Sequence, residues 1–179
     1  MIPSFKSYLI ESTSGGNYVS IDVDANSVFP LSMKPSTGTE TPPEKRHVTL
    51  IYSKQSRVDP KEVLSWLTLH CHQTIVAEAD YYAAFDSIPK DGQRDDNLAT
   101  LVVKLRSPVL QDIHEKLKSM GMEHSYPEFS PHVSLFYMVD REECHRLVDQ
   151  LNSNPPEYSV VLSGYNSENI NEDWAKSLK

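Results

Sequence analysis

His47-Val48-Thr49-Leu50-Ile51-Tyr52 and His132-Val133-Ser134-Leu135-Phe136-Tyr137 are one hexamer written twice, with Thr exchanged for Ser and Ile for Phe. Both exchanges keep the chemistry, a hydroxyl in one case and apolar bulk in the other. β-branched and aromatic residues dominate each copy, so each reads as a buried strand. Alternate side chains of a strand share a face. His47 and Thr49 therefore point one way while Val48 and Leu50 point the other, and the second copy repeats the arrangement. Two such strands side by side make a cleft furnished with two imidazoles and two hydroxyls.

Working outward, both copies hand over to a helix and then to another strand. Asp59, Pro60 and Glu62 carry the cap, first-turn proline and capping-box signals of a helix whose apolar residues are Val63, Leu64, Leu67 and Cys71. Strands are expected at Thr74–Phe85 and Leu98–Leu105, joined by the turn-rich 89–97. Ser107-Pro108 opens a second helix with Leu110, Ile113, Leu117 and Met120 inward and Gly121 as its stop. After the second motif, Asp140 and Glu143 cap a third helix facing the core through Cys144, Leu147, Val148 and Leu151, and a strand follows at Tyr158–Tyr165. Two further short strands are expected at Ser7–Glu11 and Tyr18–Asp22 around Gly15-Gly16-Asn17. The fold class is α+β: two antiparallel sheets meeting at a central cleft with helices outside, in one domain (1–179) of two pseudo-symmetric lobes. Residues 33–45, rich in Pro, Thr, Ser and Gly, are expected to form a flexible loop leading into the first motif, and 163–179 a strand end and tail near the site.

Composition narrows the function. The chain has 179 residues, 39% hydrophobic and 23% charged, enough for one substantial core. No apolar run approaches the ~18–20 residues that cross a bilayer, and two cysteines are too few for a disulfide framework, so a cytoplasmic setting is the default. A net charge of −8 argues against tracking long nucleic acid. A small anion in a focused pocket is compatible, and Lys45-Arg46 immediately before His47 offers local positive charge. There is no GxGxxG and no P-loop.

Histidine suits proton transfer near neutral pH. A pair across a phosphodiester divides the work, one taking a proton from the attacking oxygen and one giving a proton to the leaving oxygen. The Thr49 and Ser134 hydroxyls would donate to the non-bridging oxygens, whose charge grows in the transition state. The scheme asks for no metal and no cofactor. His70-Cys71-His72 has no third ligand or base nearby in sequence, His114 and His145 read as helix-surface residues, and His124, eight residues before His132, reads as a loop histidine without a role in the chemistry.

The pair His47-x-Thr49 and His132-x-Ser134, with the hydrophobics that follow, resembles the signature of the 2H phosphoesterase superfamily. That superfamily includes RNA 2′,3′-cyclic phosphodiesterases, 2′–5′ RNA ligase-like proteins and phage anti-CBASS phosphodiesterases. The resemblance implies a bilobal 2H fold and metal-independent cleavage, with both histidines as acid/base groups and both hydroxyls on the phosphate. Ser7-Tyr8-Leu9 and the tail Gly164-Tyr165 followed by Glu168 and Trp174 are similar to the anti-CBASS enzymes, which destroy cyclic oligonucleotide signals of bacterial immunity. Carried over, Tyr8 and Trp174 would stack on bases and Glu168 would accept hydrogen bonds from a base edge. The implied substrate is a cyclic di- or trinucleotide with 3′–5′ bonds, such as cGAMP, and the implied location is the cytoplasm of a bacterial host. An RNA-end enzyme of the same superfamily and a non-catalytic nucleotide sponge are the competing readings.

Overall fold

The structure, a computed structural model, describes residues 16–54, 56, 58–86 and 97–170. Seven strands form one antiparallel sheet: β1 (Asn17–Val23), β2 (Thr39–Glu40), β3 (His47–Ser53), β4 (Thr74–Asp86), β5 (Leu98–Arg106), β6 (His132–Asp140) and β7 (Ser159–Asn169). Their order is β2-β6-β5-β4-β7-β1-β3. The two expected sheets are thus the two halves of one hydrogen-bonded sheet, joined where β4 pairs with β7. The halves curl until β3, at one end, comes into contact with β6, near the other. Strand twist accumulating over seven strands produces that closure.

Three helices fill the gaps between strands: α1 (Pro60–His70), α2 (Pro108–Ser119) and α3 (Arg141–Asn152). Each starts where the sequence places it. Asp59 accepts from the Lys61 amide, Ser107 from Leu110 and Asp140 from Glu143, with proline in the first turn of α1 and α2. Gly121 just past α2 has φ +93°, the left-handed conformation that a side chain would resist. The apolar faces meet the sheet: Leu67 from α1, Leu110 and Leu117 from α2 and Leu147 from α3 join Ile21, Leu101 and Leu162 in one core. Truncating Leu117 to Ala would cost about 2–5 kcal/mol. Leu64 departs from expectation. It is 36% exposed, because α1 buries only Val63 and Leu67 on its inner face. None of the helices described is long and apolar enough to cross a membrane.

Residues 33–45 are tied to the body at several points. Both carboxylate oxygens of Glu143 accept from the backbone and hydroxyls of Ser36 and Thr37, and the Thr37 hydroxyl in turn accepts from the Asp140 amide. Glu143 therefore does not close a capping box on its own helix. It reaches across to the loop. β2 then pairs with β6, and a single 3-10 turn, Pro43–Lys45, delivers the chain to β3.

Candidate active site

The two motif strands are the same device in detail. On β3, the ladder with β1 runs Asp22↔His47 and Ser20↔Thr49 and resumes at Val19↔Ile51, leaving Leu50 as an extra residue. On β6, the ladder with β5 runs Lys104↔His132 and Val102↔Ser134 and resumes at Leu101↔Phe136, leaving Leu135 extra. Each strand thus carries a bulge at the same place in the hexamer. A bulge resets the alternation of a strand. Strict alternation puts Tyr52 and Tyr137 with the core residues. Instead Leu50-Ile51 and Leu135-Phe136 are buried in pairs, and Tyr52 and Tyr137 return to the half-buried side with the His and Thr/Ser positions.

A bulge also frees a carbonyl, and each is claimed from outside its sheet ladder. The Leu50 carbonyl accepts from His114 Nδ1 at 2.7 Å, and the Leu135 carbonyl accepts from the Thr41 amide at 2.8 Å. His114 is therefore not the surface residue expected: it is 2% exposed and stacked on Phe129. Burial pushes its pKa down. His124 sits beside it and takes the Tyr52 amide on Nδ1 at 3.3 Å, and its pKa is held down at about 4, chiefly by burial. These two histidines support the edge of β3 and stand behind it. His145 is exposed and paired with Asp86, as a surface residue should be. His70, Cys71 and His72 line a separate hollow with Asp112 and Lys116, and among the described residues no group of three or more His, Cys, Asp or Glu could hold a metal ion.

The candidate pair is held differently. His47 Nδ1 bonds the Lys45 carbonyl at 2.9 Å, and His132 Nδ1 bonds the Ser130 carbonyl at 2.7 Å. In both, the partner is the carbonyl two residues back. A carbonyl can only accept, so Nδ1 carries the hydrogen and, in the neutral ring, Nε2 carries the lone pair. Burial lowers the His132 pKa to about 4, against a raising effect from the Ser130 carbonyl, with Lys104 and His47 pushing it down further. β3 and β6, the strands that carry the two imidazoles, are in contact with each other.

The walls around the two histidines differ. Tyr18 packs edge-on to His47, with ring centroids 6.1 Å apart, and shares a 2.9 Å hydrogen bond with the Thr49 hydroxyl. Burial pushes the Tyr18 phenol strongly up, so it stays a neutral donor, and Tyr137 and Glu168 both act on it electrostatically. Glu168 lies directly across from Tyr18 in the β1–β7 ladder, which puts this predicted residue beside the cleft. On the other side, Phe85 packs edge-on to His132 at 4.7 Å, with Lys104 Nζ 4.9 Å from the centroid of the same ring. Tyr8 and Trp174, the other two residues expected to contact bases, lie outside the described residues.

Sequence reasoning missed Tyr18, Tyr137, Phe85 and Lys104. One signal was available: Lys104 is the single charge inside the apolar run Leu98–Leu105. The local charge expected from Arg46 is engaged elsewhere. Its guanidinium lies 4.9 Å from the Phe29 centroid and bonds the Thr41 carbonyl and Glu40, with only 9% of the residue exposed.

Comparison with known proteins gives the chain its family. Residues 15–177 match the family described as anti-CBASS protein Acb1. The anti-CBASS protein Acb1 of Vibrio phage KVP40 is 32% identical over 127 residues, covering 69% of this chain and 74% of that protein. Among solved structures, a phosphoesterase aligns with a TM-score of 0.47 at 17% identity, over 85% of this chain and 86% of its own. E. coli LigT complexed with 3′-AMP aligns with a TM-score of 0.49 at 15% identity, with the same coverage. By the extent of the family match and the identity to the phage protein, this chain belongs to the anti-CBASS Acb1 family.

Proposed function

We propose that the protein is a phosphodiesterase that degrades cyclic nucleotide signals, opening 3′–5′ bonds of cyclic di- or trinucleotides in the cytoplasm of a bacterial host. The observation that carries this reading is the matched pair of imidazoles. Each is held through Nδ1 to a carbonyl, and each stands beside a hydroxyl on the same strand.

The neutral form of His132 fits it to be the base. Its Nε2 takes the proton of a ribose 2′-hydroxyl, and the 2′-oxygen attacks the adjacent phosphorus. His47, with the Asp22 carboxylate opposite it in the ladder, takes the part of the acid. His47 then gives its Nε2 proton to the 5′-oxygen as the P–O5′ bond breaks. The products are a 2′,3′-cyclic phosphate and a free 5′-hydroxyl. Exchanged roles let water open the cyclic phosphate to a 3′-phosphate. Thr49, oriented by Tyr18, and Ser134 donate to the non-bridging oxygens as charge accumulates on them. Neither step asks for a metal. Glu168, beside Tyr18, is suited to accept from a base edge, and Tyr8 and Trp174 supply stacking worth about 1–3 kcal/mol per base.

The test is product analysis by mass spectrometry on a panel of cyclic di- and trinucleotides and a 2′,3′-cyclic mononucleotide, with EDTA present. Ring opening faster than mononucleotide turnover is expected. Turnover of the mononucleotide alone would point to an RNA-end enzyme, and intact ring recovered after heat denaturation to a sponge. Either result contradicts the reading.

A further inference from the structure

Among the described residues, Lys104 stands in the cleft wall with no role in folding or in the histidine chemistry to explain it. It lies on β5 in direct register with His132 on β6, so the two side chains leave the sheet from the same face. The ammonium sits over the Phe85 ring whose edge meets His132, so cation and imidazole flank one aromatic side chain. Among the described residues no carboxylate pairs with it, although Asp and Glu outnumber Lys and Arg by 25 to 17 in the chain. Other cations near acidic groups are engaged: Arg46 and Lys34 with Glu40, Arg106 with Glu78, Arg141 with Asp86. A half-buried ammonium without a counter-ion is costly, since burial penalises the charged form. Desolvation does lower its pKa. The cost is offset when an anion arrives.

Resting on the phosphodiesterase reading above, we propose that Lys104 docks the substrate's phosphodiester on the His132 side of the cleft. The groups facing His132 are Lys104 from β5, His47 from β3, the Phe85 ring from β4 and the Ser130 carbonyl at the entry to its own strand. Of these, Lys104 is the lysine, whose ammonium form is cationic. It opposes protonation of the imidazole without competing for the 2′-hydroxyl proton, and it attracts the ion the reaction consumes. It is thus a docking and positioning residue, separate from the proton transfers.

The experiment compares wild type, Lys104→Met and Lys104→Arg for cleavage of a 3′–5′-linked cyclic GMP–AMP across pH, with the His132 imidazole followed by NMR. Lys104→Met should lower kcat/KM roughly 10–100-fold at pH 7, the worth of one charge-assisted contact. It should also move the acidic limb of the pH profile and the His132 titration to higher pH, with Lys104→Arg restoring most of both. Activity of Lys104→Met within twofold of wild type, or equal losses in the Met and Arg variants, would overturn the proposal. Should wild type cleave no ring, the phosphodiesterase reading fails on its own, and inorganic phosphate then serves as probe. A phosphate-dependent shift of the His132 resonance, lost in Lys104→Met, supports anion docking; the same shift in both proteins refutes it.

Discussion

The strand that carries His47 and the strand that carries His132 share a backbone and differ in their neighbours. Both have a bulge after the hydroxyl residue, both lock Nδ1 to the carbonyl two residues back, and both surrender the bulge carbonyl to a donor from outside the ladder. Opposite His47 stands a carboxylate, Asp22; opposite His132 stands an ammonium, Lys104. Tyr18 walls the first imidazole and Phe85 the second. The repeated backbone delivers two equivalent imidazoles, and the residues opposite them differ in charge. An acid and a base are what a phosphodiester transfer needs. In the proposed reaction, a symmetric device becomes a directional one through the side chains beside it.

That division of labour can be broken from the substrate side, with the largest effect. A cyclic dinucleotide whose 2′-hydroxyls are replaced by hydrogen offers His132 no proton to take, and no cleavage is expected over times in which the ribose ring is consumed. Chromatography of the two reactions in parallel checks it. Comparable cleavage of the deoxy ring would mean that water attacks directly.

The hydroxyls come next. Thr49→Val and Ser134→Ala each remove one donor to the non-bridging oxygens, and losses in kcat of about 10²–10³ are the scale for a donor of this kind. Steady-state kinetics should put the loss in kcat more than in KM. Thr49 differs from Ser134 in having Tyr18 as a partner. Tyr18→Phe should therefore reproduce a part of the Thr49→Val defect and leave the Ser134→Ala defect additive to it.

The smallest effect is on stability, and its sign follows from the depressed histidines. His132 and His124 have folded pKa values near 4, below the unfolded value near 6.5. Between those limits the unfolded chain binds more protons, so stability rises with pH across the window and is lost as pH falls from about 6.5 toward 4. Thermal denaturation between pH 4 and 7 measures it. His124→Asn, which keeps an acceptor for the Tyr52 amide, should flatten the dependence.

Much of this was legible in the chain. Capped helices with three- and four-residue apolar spacing gave α1, α2 and α3, and the duplicated hexamer gave β3, β6 and the side of the strand on which His47, Thr49, His132 and Ser134 lie. The bulges were not legible, because Leu50 and Leu135 satisfy either alternation and nothing in their type announces an extra residue. With them went the side of Tyr52 and Tyr137, which strict alternation would have put with the core. His114 looked like a surface residue because its partner, the freed Leu50 carbonyl, exists only once the strand bulges. Arg46 looked available for an anion because adjacency to His47 in sequence says nothing of side. Neighbouring residues of an extended chain point apart, and Phe29 and Glu40 hold the guanidinium away. Lys104 shows the converse: far from either motif in sequence, it reaches the site through strand register.

The most direct test of two imidazoles acting in a single transfer is a kinetic comparison of His47→Ala, His132→Ala and the double variant on a 3′–5′-linked cyclic GMP–AMP in EDTA. Each single change is expected to cost about 10²–10⁴-fold, and the double variant to be scarcely worse than either, because groups that act as a unit are lost together. Either single variant turning over near the wild-type rate, or activity that collapses in EDTA before any histidine is changed, would contradict it.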